Sequence, residues 1–138
     1  DRCHLLKLTS SYHNEILNIY NIYQFSNSKE KSEFNKLFNL ISNYLKQKNS
    51  NIDHISHYST DNVHNILIGD FNSHLSSKKD SYTNTIHRNH DLLKLFLLEN
   101  KLFDSFRLKY PNKIIYSYDE ISRIDTIYVN KYLNIKLV

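Results

Sequence analysis

The sequence contains few of the residues that cross-link or break a chain. Its 138 residues include one cysteine, one proline, one glycine, no methionine and no tryptophan. The lone Cys3 excludes an internal disulfide and is typical of a reducing, intracellular compartment. Apolar runs such as residues 95–98 fall far short of the roughly 18 residues that a membrane span needs. The chain begins at Asp1 without a basic and apolar leader, so we expect an internal piece of a longer protein with no targeting segment.

The charge of the chain is only slightly basic. Lys and Arg number 18 against 14 Asp and Glu, which gives a net charge of +4. That excess permits an anionic partner without requiring one. The length suits one domain with a real core. Because the chain has no internal repeat and no linker rich in proline or glycine, we expect a single domain over residues 1–138.

Hydrophobic patterning predicts strands and helices in alternation. In chain order, we expect strands at 4–8 and 16–23, a helix at about 28–48, a strand at 65–69, a helix at about 91–100, and strands at 113–118 and 122–129. The first two strands form an antiparallel pair, and the last two flank a turn at Asp119 and Glu120. His54 and His57 have the spacing of a metal pair on a helical turn, but their polar surroundings favour a solvated loop. This order predicts an α/β or α+β domain.

The tetrapeptide Gly69-Asp70-Phe71-Asn72 directly follows the predicted buried strand. A carboxylate and a carboxamide two residues apart project to one side of the chain, and the glycine lets another group approach the backbone closely. Such a pair can activate a water molecule and stabilise charge on a phosphoryl oxygen. Asp and Asn also favour ordinary turns, so the tetrapeptide alone leaves both interpretations open.

Two further segments carry polar groups within apolar strands. Arg123 and Asp125 fall on one face of the last predicted strand, where a buried carboxylate is costly unless it is paired or hydrogen-bonded. The pair could be an ion pair and nothing more, or Asp125 could hold a catalytic histidine in the right tautomer. In the second predicted strand, the hydroxyl of Tyr20 could donate to a phosphate oxygen.

In their order along the chain, these segments resemble the motifs of the endonuclease/exonuclease/phosphatase superfamily, and most of all the endonuclease domain of LINE-type (non-LTR) retrotransposons. The matching segments are residues 16–20, similar to a strand ending in Asn-Val-Tyr; 66–74, similar to the Gly-Asp-Phe-Asn motif; 102–107 with Pro111, similar to Leu-Val-Asp-x-Trp-Arg; and 116–118 with 122–125, similar to Tyr-Thr-Trp and Ser-Arg-Ile-Asp. The resemblance implies a four-layer α/β sandwich of two mixed β-sheets flanked by helices, truncated at both ends.

The resemblance also implies a role for individual residues. Asp70 would orient or deprotonate the attacking water, and Asn72 would hydrogen-bond the scissile phosphate. Asp125 would orient the catalytic histidine. Tyr20 and Ser117 would contact the phosphate, with Ser117 standing where the family usually has threonine.

The choice of tyrosine has an alternative within the sequence itself. The tripeptide Asn-Ile-Tyr occurs twice in succession, ending at Tyr20 and at Tyr23. The apolar residues Ile16 and Leu17 precede the first copy as the family strand would, which favours Tyr20. Tyr23 remains the alternative.

The resemblance implies Mg²⁺ or Mn²⁺ as the cofactor, with Asp70 and Asn72 at a secondary position only. The main metal-binding Glu would precede Asp1, and the Ser-Asp-His motif with the catalytic histidine would follow Val138. We therefore expect these residues alone to be inactive.

The function implied for the intact protein is Mg²⁺-dependent phosphodiester hydrolysis, in which DNA is nicked to prime retrotransposon reverse transcription. Its partners would be DNA and a reverse transcriptase domain in the same polypeptide, with no membrane and no disulfide partner. A retroelement role implies nuclear access with cytoplasmic passage. The alternatives are a catalytically inactive retroelement remnant and a superfamily phosphatase acting on a phosphorylated lipid or inositol.

Overall fold

The computed structural model describes residues 3–10, 15–24, 31–51, 63–86 and 89–130. In chain order, its elements are β1 (Cys3–Ser10), β2 (Glu15–Tyr23), α1 (Lys31–Asn51), β3 (Val63–Asp70), α2 (Ser77–Asp80), α3 (His90–Glu99), β4 (Phe103–Asp104), α4 (Ser105–Lys109) and β5 (Asp125–Val129). No helix among these residues is long and apolar enough to cross a membrane.

The strands form one mixed five-stranded sheet in the order β1-β2-β3-β5-β4. Only β2 and β3 are parallel, and the other neighbours are antiparallel. Parallel neighbours need a crossover connection, and α1 lies between β2 and β3 in the chain. The strands β2, β3 and β5 form the centre of the sheet.

One face of the sheet packs against α1 and α3 and forms the core. Tyr20, Leu67 and Tyr128, one from each central strand, are at most 1% exposed and belong to the same buried cluster as the helix side chains. Between the helices, the rings of Phe38 and Phe96 stack with centroids 4.1 Å apart. The apolar stripe of α1 recurs at helical spacing because this face of the helix covers the sheet.

The opposite face of the sheet keeps apolar side chains in contact with solvent. Leu6, Tyr23, Ile68 and Ile127 are 38–59% exposed. Tyr23, Ile68 and Ile127 alternate along their strands with buried residues of the core, as successive strand residues point to opposite faces. The described residues thus build one sheet with a packed face and an open face.

Most of the predicted elements are confirmed. The antiparallel pair, the two long helices and the buried strand are present near their expected bounds, and the chain has the expected α/β class. The strand predicted at 122–129 begins later, at Asp125. The segments containing His54 and His57 lie outside the described residues.

The strand predicted at 113–118 is wrong. These residues form no strand, and the segment has only an isolated bridge between Tyr118 and Ser122. Asp119 and Glu120 form the expected turn, with φ of 45° and 54°. The turn folds the chain back so that the N–H groups of Ser117 and Tyr118 both donate to the carbonyl of Ser122, and residues 113–117 pair with none of the described strands.

Candidate active site

The sheet register brings three of the candidate side chains to one edge of the open face. Asp70, the last residue of β3, lies opposite Tyr23 of β2 and opposite Asp125 of β5. Residues paired across neighbouring strands project to the same face. The two acidic residues, which are 55 positions apart in sequence, are therefore direct neighbours.

Gly69 is required by the sheet itself. Its φ is +142°, and a Cβ atom there would lie 1.9 Å from the carbonyl oxygen of Ile22 on β2. The close approach expected at this glycine is thus made by the neighbouring strand. Gly69 lets β2 and β3 stay in register up to the point where Asp70 leaves the sheet.

The residues after Asp70 form a tightly bonded turn. Asn72 has a φ of 43°, a region that Asn tolerates better than most residues. Its backbone N–H donates to Asp70 Oδ1 at 2.8 Å, and its side-chain Nδ2 donates to the carbonyl oxygen of Gln24. The N–H of Gln24 in turn donates to the carbonyl of Asp70 at 2.8 Å. The Asn72 side chain also hydrogen-bonds the Asp70 carboxylate.

Gln24 is a contributor that sequence reasoning missed. It is 2% exposed and directly follows the second Asn-Ile-Tyr copy, and its backbone joins the end of β2 to the site turn. Phe71 anchors the same turn from the other side, since its buried ring packs edge-on against Tyr128 at 4.8 Å. The turn therefore has a fixed conformation from which Asp70 and Asn72 project.

The pKa of Asp70 is raised from its ordinary value. Burial is the largest cause, and the neighbouring charge of Asp125 raises it further, while hydrogen bonds from Asn72 oppose the shift. A carboxylate with a raised pKa is a better proton acceptor than an ordinary one. Among the described residues, neither acid forms an ion pair with a cationic side chain.

Ser117 and Asp125 are held next to each other. Ser117 Oγ accepts hydrogen bonds from the N–H groups of Ile124 at 3.1 Å and Asp125 at 3.0 Å. Because the oxygen accepts both bonds, the hydroxyl hydrogen remains available to a ligand. Both side chains are exposed.

The ion pair between Arg123 and Asp125 that the sequence left open is not formed. Arg123 is buried and pairs with Asp80 and Asp104, while Asp125 faces solvent on the open side of the sheet. Arg123 precedes β5, so the strand alternation assumed for it does not apply. The carboxylate of Asp125 is thus free of the one cation nearest to it in sequence.

Tyr20 requires a correction. Its side chain is 1% exposed on the core face, and its hydroxyl has no hydrogen-bond partner among the described residues. Burial, followed by the proximity of Cys3 and Tyr44, raises its pKa to about 12. A buried hydroxyl on the helix-covered face cannot reach a phosphate. Tyr23, three residues later, is 59% exposed opposite Asp70, so the alternative tyrosine is the one beside the site.

A cleft of about 340 Å³ opens beside Ser117 and Asp125. Its walls include Phe106, Tyr110 and Tyr116. The Nζ atoms of two lysines lie over the Tyr110 ring, 5.5 Å and 5.3 Å from its centroid. The cleft therefore combines aromatic walls with positive charge at the site edge.

The described residues contain no cluster of three or more His, Cys, Asp or Glu side chains that could hold a metal. The available donors are the adjacent carboxylates of Asp70 and Asp125 and the amide oxygen of Asn72. These are hard oxygen ligands of the kind that Mg²⁺ prefers. They fit part of a divalent-cation site.

No protein-family model and no curated protein matches the sequence. Solved structures do match, and the chain shares its fold with an AP endonuclease and a 3′-5′ exonuclease, which agrees with the fold that the resemblance implied. Over 94% of this chain, it superposes on the AP endonuclease LMAP from Leishmania major with a TM-score of 0.71 and 14% identity, covering 46% of that protein.

Two further matches come from a bacterium and a retroelement. The 3′-5′ exonuclease NExo from Neisseria meningitidis matches 91% of this chain, with a TM-score of 0.59 and 20% identity, over 51% of its own length. The endonuclease domain of TRAS1, a telomere-specific non-LTR retrotransposon, matches 92% with a TM-score of 0.45 and 16% identity, over 48% of its length. The chain spans about half the length of the solved structures that it matches.

Proposed function

We propose that this chain carries the central part of the active site of a divalent-metal-dependent phosphodiesterase that cuts DNA. The observation that supports this most directly is the convergence of Asp70, Asn72 and Asp125 at one sheet edge. Two neighbouring carboxylates without a cationic partner among the described residues are costly for folding alone. Such a loss of folding stability is expected where the two carboxylates take part in a reaction.

Each side chain has a role that its position allows. Asp70 accepts the proton of the attacking water, whose oxygen forms the new bond to phosphorus as the bond to the sugar oxygen breaks. The Asn72 amide donates to a phosphoryl oxygen, and the Ser117 hydroxyl donates to another. Donors fixed before the substrate binds stabilise the charge that develops in the transition state. Asp125 orients a histidine supplied from outside these residues.

The metal belongs to the same proposal. Asp70 and Asn72 would hold Mg²⁺ or Mn²⁺ at a secondary position, and the resemblance assigns the main ligand to a glutamate outside these 138 residues. A bound divalent cation would supply positive charge for the phosphoryl and leaving oxygens.

DNA is the substrate that the matches and the charges favour. The Leishmania match is an AP endonuclease, and NExo has been solved bound to a product DNA hairpin. In this chain, Lys109 and Lys113 lie at the aromatic cleft next to Ser117. Lysines near the site can neutralise flanking phosphates, and aromatic walls suit stacking with a base.

Priming of retrotransposon reverse transcription is the finer form of the proposal, and it rests on the sequence motifs. The Ser-Arg-Ile-Asp segment at 122–125 and the Gly-Asp-Phe-Asn segment at 69–72 have the retroelement form. A reverse transcriptase domain in the same polypeptide and entry into the nucleus follow from that role.

The test uses the intact protein that carries these residues, supercoiled plasmid DNA and Mg²⁺, with nicking measured on gels. We expect Asp70→Ala and Asn72→Ala each to lower the nicking rate about 100-fold or more. Asp91→Asn, which alters an exposed acid on α3, serves as the control and leaves the rate unchanged. Chelation with EDTA abolishes nicking.

A parallel assay measures phosphate release from inositol phosphates and phosphorylated lipid. Release without nicking would replace the proposal with the phosphatase alternative. No hydrolysis of any of these substrates would identify an inactive remnant. Nicking that survives both substitutions would refute the roles of Asp70 and Asn72.

A further inference from the structure

An aspartate outside the candidate active site lies at the centre of a buried ion-pair network. Asp80, the last residue of α2, is 0% exposed. One of its carboxylate oxygens accepts hydrogen bonds from Arg107 and, at 2.8 Å, from Arg123 Nε. The other accepts the N–H of Ser76 at 3.1 Å, and Arg123 also pairs with the buried Asp104. A buried carboxylate is stable only with such partners.

The two arginines fix both ends of the segment from Lys113 to Arg123. At its start, Arg107 donates to the carbonyl oxygen of Lys113, and also to that of Lys79 at 3.1 Å. At its end, the Arg123 side chain is held by the acids, and its backbone N–H donates to the carbonyl of Asp80 at 2.8 Å. Asp80 therefore contacts both arginines, Arg107 at the start of the segment and Arg123 at its end.

This segment carries Ser117 and leads directly into Asp125. Residues 113–117 belong to no strand, and the ladder of β5 with β3 begins only at Asp125. The bonds from the N–H groups of Ile124 and Asp125 to Ser117 Oγ are what join the two site residues. Their relative position therefore depends on how the segment is held, both at its ends and where the N–H of Tyr82, two residues after Asp80, donates to the carbonyl of Ile121 at 2.7 Å.

We propose that Asp80 is a positioning residue, which holds Ser117 against Asp125 by fixing Arg107 and Arg123. The inference rests on the proposed function for its catalytic consequence, although the positioning itself is a property of the folded chain. Asp80 touches no reacting atom. Its substitution disturbs the site while the core formed by the sheet and the long helices stays folded.

The first experiment measures backbone amide hydrogen exchange in the intact protein by mass spectrometry, without substrate. We expect Asp80→Asn, which keeps the shape and removes the charge, to speed exchange in peptides covering 113–125 at least tenfold. At labelling times too short for global unfolding to contribute, exchange in β3 and in α3 stays within twofold of the wild type. Asp91→Asn, the same chemical change at an exposed site, changes neither region.

A milder variant covers the case in which Asp80→Asn fails to fold. Arg107→Lys keeps the positive charge but removes the fork that reaches both Asp80 and Lys113. We expect faster exchange in the same peptides, strongest at the Lys113 end. Unchanged exchange at 113–125 in the variants that fold would overturn the proposal. Exchange that rises equally in every element would also overturn it, because that result describes general destabilisation.

The second experiment is a double-mutant cycle on nicking. If Asp80 acts by placing Ser117, then adding Ser117→Ala to Asp80→Asn lowers the rate little further, so the two effects are not additive. Additive effects contradict the proposal. If the wild-type protein cuts no DNA, the proposed function fails while the exchange measurement still decides the positioning role.

Discussion

The two faces of the sheet are built from alternate residues of the same strands, yet they differ in what covers them. Tyr20 and Leu67 point into a core filled by helices, while Tyr23, Ile68 and Asp70 point to the open face. The core face consists of buried side chains packed into one cluster with those of the helices. The open face combines exposed apolar groups with the acidic residues of the site.

The packed face determines which side chains lie next to each other on the open face. Packing in the core fixes the register of β2, β3 and β5, and that register alone places Asp70 opposite Tyr23 and Asp125. The resemblance implies a second sheet in the complete domain, and exposed apolar residues such as Ile68 and Ile127 suit such a partner. The comparison can be tested by substitutions that act on one face only.

The largest effect on stability is expected at Gly69, where β3 lies against β2. Gly69→Ala places a Cβ atom against the Ile22 carbonyl in a backbone conformation that disfavours any side chain. We expect a loss of about 4 kcal/mol or more in the free energy of unfolding, measured by urea denaturation. Lys94→Ala, on the exposed side of α3, is the control. A Gly69→Ala variant within about 1 kcal/mol of the wild type would mean that β2 and β3 are not this close.

The next prediction compares the two faces by substituting two neighbouring residues of β3, one on each face. Leu67→Ala removes a side chain with 0% exposure and should cost about 2–5 kcal/mol. Ile68→Ala, at 39% exposure on the open face, should cost less than about 1.5 kcal/mol in the 138-residue chain. Urea denaturation measures both. In the intact protein, a larger cost for Ile68→Ala would locate a packing partner on the open face.

The buried ion-pair network around Asp80 predicts that the difference in stability between the wild type and Asp80→Asn depends on pH. Burial alone would raise the pKa of Asp80, but the hydrogen bonds and charges of Arg123 and Arg107 outweigh it and lower that pKa. The stabilisation by Asp80 is therefore complete above the pKa of an unfolded Asp, about 3.9. It is lost as the pH falls through the lower pKa of the folded state.

The measurement compares urea denaturation of the wild type and Asp80→Asn at several pH values. At pH 7, we expect the variant to be about 3 kcal/mol less stable, because the buried Arg123 and the partly buried Arg107 lose their shared anion. The difference should shrink as the pH falls below about 3.9. A stability difference that does not vary with pH would show that the negative charge of Asp80 does not stabilise the two arginines.

The features that sequence predicts well are those encoded by local pattern. The stripe of α1, the antiparallel pair and the buried strand before Gly69 each depend on spacing within one segment. The proximity of Asp70 and Asn72 is likewise local, because they are two residues apart. The strand expected at 113–118 failed because its short apolar run has no partner strand among the described residues.

The rest depends on pairing between distant residues, which local pattern does not encode. Asp80 and Arg123 are 43 positions apart, and the sequence offers Asp125 as the nearer partner. The burial of Tyr20 and the exposure of Tyr23 depend on which face α1 covers. The repeated Asn-Ile-Tyr tripeptide is ambiguous for the same reason, since both copies fit the motif and only the sheet distinguishes them.

The smallest effect is the sharpest test of the two faces, because it removes one oxygen atom from each. Tyr23→Phe removes a hydroxyl beside Asp70, and we expect nicking by the intact protein to fall about tenfold, the value of one hydrogen bond to a charged phosphate. Its free energy of unfolding should stay within about 0.5 kcal/mol of the wild type. Tyr20→Phe removes a buried hydroxyl without a described partner, so stability should stay equal or rise by up to about 1 kcal/mol, with nicking unchanged. If Tyr20→Phe instead reduced nicking more than Tyr23→Phe, the core face would carry part of the site and the division of roles between the faces would be wrong.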